Sequence, residues 1–127
     1  MMRGIRGAIV ARGIGKNDVL EATEELLCQL VSDNDLAIED IGAVLFSVTP
    51  DIQVAFPAAA ARRLGWQYVP LFDCLEIGVE DGLAACIRVL VLAEMTVTQR
   101  DVRHVYLGGA QCLRPDLISG KIAEGEF

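Results

Sequence analysis

The segment at residues 86–95, CIRVLVLAEM, constrains the fold most strongly, because it is apolar on both of its alternating sides. Ile87 and Val89 would lie on one side of a strand. Leu90 and Leu92 would lie on the other. A strand that is apolar on two sides is typical of a sheet covered on both faces. We therefore expect a layer of structure on each side of this strand.

Arg88 stands at the head of the same strand. Its guanidinium keeps its proton even when it is buried. An unpaired ion in a dry interior would cost on the order of several kcal/mol. Either a carboxylate elsewhere in the chain or an anionic ligand must therefore compensate the charge of Arg88.

The size and composition of the chain limit the classes of protein to which it can belong. A length of 127 residues fits one domain with its own core, and an apolar content of 53% excludes a disordered chain. The apolar runs have the length of strands, and residues 1–6, MMRGIR, lack the apolar region of a signal peptide. We therefore expect a cytoplasmic protein without a membrane span.

The charge pattern favours a small anionic ligand. A net charge of −7 argues against nucleic acid as a partner. Only Lys16 and Lys121 are lysines, and the other nine basic residues are arginines. Arginine binds carboxylates in a planar, bidentate way. Isolated arginines in apolar strands thus indicate capture of a small anion, although ordinary surface use is an equal alternative for any one of them.

The cysteines and the single histidine restrict the possible chemistry. Cys28, Cys74, Cys86 and Cys112 show no metal-binding spacing, and a zinc site or catalytic triad would have to be built around His104 alone. Cys28 and Cys86 lie in apolar periodic segments and are predicted to be core residues. We expect neither a metal nor a disulfide framework.

Periodicity and turn signals predict the remaining elements. Strands are predicted at residues 6–10, 41–48, 66–72, 86–95 and 103–107, with another short one at 110–113. A long helix is predicted from an N-cap at Asn17 to about residue 33, with a short helix over 56–65 and a helical turn over 98–101. Pro70 places the third strand near an edge.

These elements predict a single α/β (α+β) domain with a mixed sheet of about five strands, one long helix and short helices. One long helix cannot cover two faces of such a sheet. The second face therefore has to be covered by something else, and another copy of the chain is the obvious candidate.

Five polar residues are candidates for function: Arg6, Glu76, Arg88, Tyr106 and Arg114. All except Arg88 have simple structural explanations when taken singly. Glu76 could be a loop acid, and Tyr106 a strand-edge aromatic with its hydroxyl in water. Arg114 could pair with Asp116.

A series of motifs along the chain is more specific than any of these residues. The motifs are RGIRGA (3–8), SVTPDIQVAFPAAAAR (47–62), GWQYVPL (65–71), CIRV (86–89), RHVYL (103–107) and LRPDL (113–117). In this order they resemble the AroH class of chorismate mutase over residues 3–117. The resemblance implies a domain over residues 1–117 and a homotrimer of pseudo-barrel type with active sites between subunits. The weak periodicity of residues 118–127 predicts a mobile tail. The resemblance also implies conversion of chorismate to prephenate, on the route to phenylalanine and tyrosine.

The resemblance also implies a mechanism without cofactor or metal, because the reaction is an intramolecular Claisen rearrangement of a dicarboxylate. Arg88 would donate to the ether oxygen, where negative charge grows. Arg6 and Tyr106 would bind a substrate carboxylate. Glu76 would accept a hydrogen bond from the ring hydroxyl and orient Arg88. Chorismate and prephenate, together with the other subunits, are the implied partners, and neither nucleic acid nor a membrane is expected.

Further pocket residues are implied in the same way. The neighbouring subunit would contribute Phe56, Ala58, Ala59 and Arg62, with Leu71, Phe72, Asp73, Leu113 and Arg114 nearby. Asp73 replaces a small thiol or hydroxyl residue of the family, Phe72 stands where a threonine can occur, and Ala59 replaces a basic residue of some members. A carboxylate near a dianion should repel it unless the carboxylate points away, pairs with arginine or is protonated.

Two alternatives stay open at the level of the sequence. One is a small trimeric enzyme of the imine-deaminase type, which is similar in architecture and also sets an interface arginine against a carboxylate. The other is a catalytically silent trimer that senses an aromatic acid, since binding and catalysis would use the same arginines.

Overall fold

The apolar segment that follows Arg88 forms the central strand of a mixed sheet. The computed structural model describes residues 1–114. Its strands are β1 (Met2–Val10), β2 (Ile41–Val48), β3 (Leu71–Leu75), β4 (Cys86–Glu94) and β5 (Val105–Leu107), in the order β3-β2-β4-β1-β5. β4 is antiparallel to both of its neighbours, whereas the two outer pairs are parallel. The predicted mixed five-stranded sheet is confirmed.

Residues 1–114 also form two α-helices and three short 3₁₀ helices. The α-helices are α1 (Lys16–Asp33) and α2 (Pro57–Arg63), and the 3₁₀ helices are Ile38–Asp40, Gln99–Asp101 and Ala110–Leu113. The long helix begins two residues earlier than predicted, with Gly15 in place of Asn17 as its N-cap and Asn17 inside its first turn. Its apolar stripe includes Leu26 and Leu27, which are fully buried in the core.

The two faces of the sheet are covered unequally. Ile87, Val89 and Val91 are at most 4% exposed and belong to the same core as the apolar stripe of α1. Leu90 and Leu92, on the opposite face, are only half-buried. Within one chain, therefore, the strand is covered on one side, and the second layer that the sequence predicts is not supplied by residues 1–114.

Among residues 1–114, the second face of the sheet, called here the open face, is covered only at one end. Ala8, Cys86 and Tyr106 form a small buried cluster there with Ala110 of the last 3₁₀ helix. The burial of Cys86 agrees with its predicted place in a core. The described residues leave the rest of the open face accessible to a ligand or to another chain.

Two predicted strands are wrong as placed. β3 begins at Leu71 and not at residue 66, because the Trp66 N–H donates to the Ala61 carbonyl (3.1 Å) and Gly65 has φ +90°, so this segment completes the end of α2. β3 is nevertheless an edge strand, as Pro70 indicates. Residues 110–113 form a 3₁₀ helix, because Gly108 and Gly109 have positive φ and turn the chain away from the strand direction.

Cys28 is exposed, so its predicted place in the core is wrong. Cys28 follows the buried Leu26 and Leu27 on α1. The helical repeat places its side chain outside the buried stripe. The predicted tail over residues 118–127 lies outside the residues that the structure describes. Within residues 1–114, none of the helices combines the length and the apolar character needed to cross a membrane.

Candidate active site

Strand register brings residues from all five strands into one row across the open face. The row runs Cys74, Ser47, Arg88, Ala8 and Tyr106, from β3 through β2, β4 and β1 to β5. Paired residues in neighbouring strands point to the same face of a sheet. Arg88 therefore stands at the centre of the open face, with Tyr106 at one side and Cys74 at the other.

A second row lies beside the first and carries Arg6. It runs Phe72, Leu45, Leu90 and Arg6 across four strands. Its middle is apolar and its end, on β1, is cationic. The two rows together form the floor of a cavity.

This cavity has a volume of about 340 Å³. Of the residues predicted for the site, those that line it are Arg6, Arg88, Tyr106, Leu113 and Arg114. Leu113 and Arg114 come from the end of the last 3₁₀ helix and the residue after it. Arg6 and Arg114, 108 positions apart in the chain, are thus brought to one cavity by the sheet and by the turn that follows β5.

Arg88 has a carboxylate partner within the chain. Its Nε lies 2.5 Å from Oε1 of Glu76, and the two atoms form an ion pair without hydrogen-bond geometry. Glu76 directly follows β3, and its backbone N–H donates to the Val48 carbonyl at 2.8 Å. The side chain of Arg88 is still 43% exposed, so its guanidinium is oriented by Glu76 and remains accessible from the cavity.

Arg6 is held through its backbone by a histidine. The Arg6 N–H donates to Nδ1 of His104 at 2.9 Å. His104 is half-buried, and its burial lowers its pKa, as do the nearby charges of Arg6 and Arg114. The neutral imidazole is the form whose Nδ1 can accept this hydrogen bond.

Asp73 points away from Arg88 within the chain. It is paired with Phe46, which is paired with Val89, and both of these lie on the helix-covered face. Its Oδ1 accepts a hydrogen bond from the Ala58 N–H at 3.1 Å. Burial raises the pKa of Asp73, against the lowering effects of the Ala58 N–H and of Arg62. The carboxylate that departs from the family pattern therefore holds the first turn of α2 and does not face this cavity.

The other predicted residues lie at or near the β3 edge and are not in the lining of the cavity. Leu71 is partly buried against the main core, while Phe72, on the open face, is 62% exposed. Around α2, Phe56 and Arg62 are exposed, Ala59 is half-buried and Ala58 is buried. One chain does not bring these α2 residues together with Arg88, and their contribution from a neighbouring subunit stays a prediction.

Sequence reasoning missed two polar residues of the cavity, Ser47 and Cys74. Both belong to the Arg88 row, and the period-two alternation of β2 and β3 would have placed them there once the register was known. The bounds of β3 were predicted too early, so the face of Cys74 could not be assigned from the sequence.

In the described part of the chain, the buried Cys86 beside the site is not a thiolate, and metal ligands are not grouped. Burial raises the pKa of the Cys86 thiol to about 11, so it stays protonated at neutral pH. In residues 1–114, no three side chains of His, Cys, Asp or Glu are grouped as a metal site would require.

The charges at the cavity define its ligand class. Arg6, Arg88 and Arg114 are three cations in its lining, and Glu76 compensates one of them. These cations favour a small anionic ligand. Leu90 and Leu113 supply apolar surface beside them. The cavity is thus suited to a compact, partly apolar carboxylate.

Comparison with known proteins agrees with this geometry. The model of the family described as chorismate mutase type I matches residues 2–117. Chorismate mutase AroH of Bacillus subtilis (strain 168) is 42% identical over 125 residues, which are 98% of each chain. Chorismate mutase AroH of Thermus thermophilus is 44% identical over 122 residues, 95% of this chain and 100% of the relative.

A solved structure shows the same fold. The chorismate mutase from Clostridium thermocellum superimposes with a TM-score of 0.86 at 37% identity, covering 87% of this chain and 99% of that one. The chain belongs to the chorismate mutase type I family. It is accordingly an isomerase of aromatic amino acid biosynthesis, as the motif series predicted.

Proposed function

We propose that the cavity above Arg88 converts chorismate to prephenate by an intramolecular Claisen rearrangement. In this reaction an ether C–O bond breaks and a C–C bond forms within one molecule, so no atom enters or leaves. No acid, base or nucleophile has to be supplied. The observation that carries the proposal is the arrangement of three arginines around one cavity, with the central guanidinium oriented by Glu76.

The first task of the site is to bind and fold the substrate. Chorismate carries two carboxylates, and Arg6 and Arg114, with the Tyr106 hydroxyl, are the groups that would hold them. Arginine is suited to this because its planar guanidinium donates two parallel hydrogen bonds to a carboxylate. Holding the flexible side chain of the substrate over its ring removes conformational freedom before the reaction. This positioning can lower the activation free energy by up to several kcal/mol.

The second task is to stabilise the charge that develops in the transition state. As the C–O bond lengthens, negative charge grows on the ether oxygen, and the Arg88 guanidinium would donate to it. The Glu76 carboxylate fixes the orientation of Arg88 in advance, so little reorganisation is needed when the charge appears. Glu76 would also accept a hydrogen bond from the ring hydroxyl.

We also propose that the active unit is a homotrimer. The open face and the β3 edge expose large apolar side chains: Phe56, Phe72, Leu75, Ile77 and Val79 are each more than 60% exposed. This number of large exposed apolar side chains supports an interface with another chain. In a trimer, Phe56, Ala58, Ala59 and Arg62 of one subunit would close the cavity of the next. A cytoplasmic location, expected from the sequence, stays a prediction.

The activity is tested by incubating the purified protein with chorismate and following the loss of its ultraviolet absorbance, with NMR to identify the product. The matched variants are Arg88→Ala and Arg100→Ala, since Arg100 is an exposed arginine of the 3₁₀ helix Gln99–Asp101. We expect rapid formation of prephenate by the wild type and Arg100→Ala, and a severe loss in Arg88→Ala. No conversion by the wild type, or equal rates for all three proteins, would contradict the proposal.

Light scattering tests the assembly on the same samples. We expect the mass of three chains, and loss of turnover when dilution separates them. A fully active monomer would contradict a site that is completed by a neighbouring subunit.

A further inference from the structure

His104 is the one histidine of the chain and a residue of the RHVYL motif that the proposed mechanism does not use. It lies immediately before β5. Its Nδ1 accepts the backbone N–H of Arg6 at 2.9 Å, across 98 positions of sequence. This bond joins the start of β5 to the position on β1 that carries a cavity arginine.

The bond stands at the point where strand pairing ends. β1 and β5 pair from Gly7 with Val105 to Ile9 with Leu107. Arg6 is one residue before this ladder, and its amide hydrogen bond goes to the imidazole instead of to a strand carbonyl. The side chain of His104 therefore extends the attachment of β1 by one residue, to the residue whose guanidinium lines the cavity.

We propose that His104 is a positioning residue for Arg6: its neutral imidazole, protonated on Nε2, fixes the β1 backbone so that the Arg6 guanidinium meets a substrate carboxylate. The inference rests on the proposed function, because it assumes that Arg6 binds such a group. His104 itself need not touch the substrate for this role.

The surroundings of His104 favour the form that this role requires. A protonated imidazole is a donor at both nitrogens, so its Nδ1 would face the Arg6 N–H as a second donor. The charges that act on the ring are Arg6 on β1 and Arg114 after the last 3₁₀ helix. Burial and these two cations lower the pKa of His104, which keeps the imidazole neutral and Nδ1 available as an acceptor at neutral pH.

The kinetic test uses three substitutions of His104 and the wild type. His104→Leu removes the acceptor, whereas His104→Asn keeps an oxygen at the place of Nδ1. His104→Gln carries its amide further out, near the place of Nε2, and is the matched control for polarity. We expect His104→Leu and His104→Gln to raise KM for chorismate about five- to tenfold, the scale of one net hydrogen bond, with kcat changed much less. His104→Asn should restore KM to near the wild-type value.

A role confined to stability makes a different prediction. In that case His104→Leu would lower the melting temperature, and the folded enzyme would keep the KM of the wild type. An unchanged KM in folded His104→Leu, or a failure of well-folded His104→Asn to restore KM, would overturn the inference while leaving the proposed function intact. Absence of turnover in the wild type would overturn the proposed function, and this role with it.

An NMR measurement on the wild type keeps the inference testable if the variants do not fold. Because the chain has one histidine, ¹⁵N-labelled imidazole gives a single, unambiguous pair of resonances. We expect a proton on Nε2 and none on Nδ1 at neutral pH. The control is Arg6→Ala, which keeps the backbone donor and removes one cation, so the tautomer should persist while the pKa of His104 rises. A proton on Nδ1 in the wild type would overturn the inference.

Discussion

On the helix-covered face of β4, Val89 and Val91 are at most 4% exposed and pack in the core with α1, whereas Arg88, between Val89 and Ile87, is 43% exposed and lines a cavity. The difference arises within one strand, from the alternation of its side chains. It shows how the fold separates two requirements. Burial on one face holds the sheet together, and the other face is left free to hold charged groups. Substitutions on the covered face should change the free energy of unfolding, and those on the open face should change turnover.

The largest expected effect is on the covered face. Leu27 of α1 is fully buried, and Leu27→Ala should lower the free energy of unfolding by about 2–5 kcal/mol, because a cavity remains where the side chain was. The neighbouring Cys28 is exposed, so Cys28→Ala is the matched control and should change stability by less than about 0.5 kcal/mol. Denaturant unfolding at equal protein concentration measures both.

The kcat of the folded Leu27→Ala enzyme should stay near that of the wild type, because α1 lies on the side of the sheet away from the cavity. A large loss of kcat with little change in stability would show that the two faces are not separable in this way.

The next effect concerns the open face. Replacing Arg88 by citrulline keeps the shape and part of the hydrogen-bond donors, but it removes the charge and puts a carbonyl oxygen in place of one NH2 group. We expect kcat to fall at least ~10²-fold, the scale of losing one transition-state donor, with a smaller change in KM. Arg88→Ala should be worse, and Arg88→Lys should recover part of the loss if its ammonium reaches the oxygen.

The control measurement for Arg88 is the melting temperature of the same citrulline variant. If Arg88 served only as the partner of Glu76, the variant would be less stable but would turn over normally. Near-normal kcat in the folded citrulline enzyme would therefore end the catalytic interpretation of Arg88.

The smallest expected effect concerns Asp73, at the β3 edge. Cys74 faces the cavity, whereas its neighbour Asp73 faces α2, so the two faces can be compared within one strand. Burial raises the pKa of Asp73, so the folded protein binds this proton more tightly than the unfolded chain does. The wild type should then gain stability relative to Asp73→Asn as the pH falls through the folded pKa towards 3.8, and lose that advantage as the pH rises.

At neutral pH the Asn side chain can still accept from the Ala58 N–H, and we expect a stability difference below about 1 kcal/mol, the scale of a helix-end hydrogen bond. Thermal unfolding of both proteins across this pH range measures the difference. A constant difference would mean that Asp73 has the same pKa in the folded and unfolded chain.

The sequence by itself determined the elements with strong periodicity. The strand at Cys86–Glu94 and the stripe of α1 could be predicted, because alternation and a 3.6-residue repeat report directly which side of an element is buried. The importance of Arg88 followed from an ionised group in an apolar strand. The ordered motifs also identified the family, and with it the reaction class.

Only the tertiary structure decided which side chains meet. The placement of Asp73 and Cys74 on opposite faces of the sheet depends on where β3 begins. Residues 62–66 form the C-terminal end of α2, so the strand begins only after them. The bond from Arg6 to His104 joins residues 98 positions apart, and its partner is a side chain in place of a ladder carbonyl. Local pattern reports the burial of one element at a time. Register and long-range hydrogen bonds depend on several elements packing together, so they are fixed only when the sheet has formed.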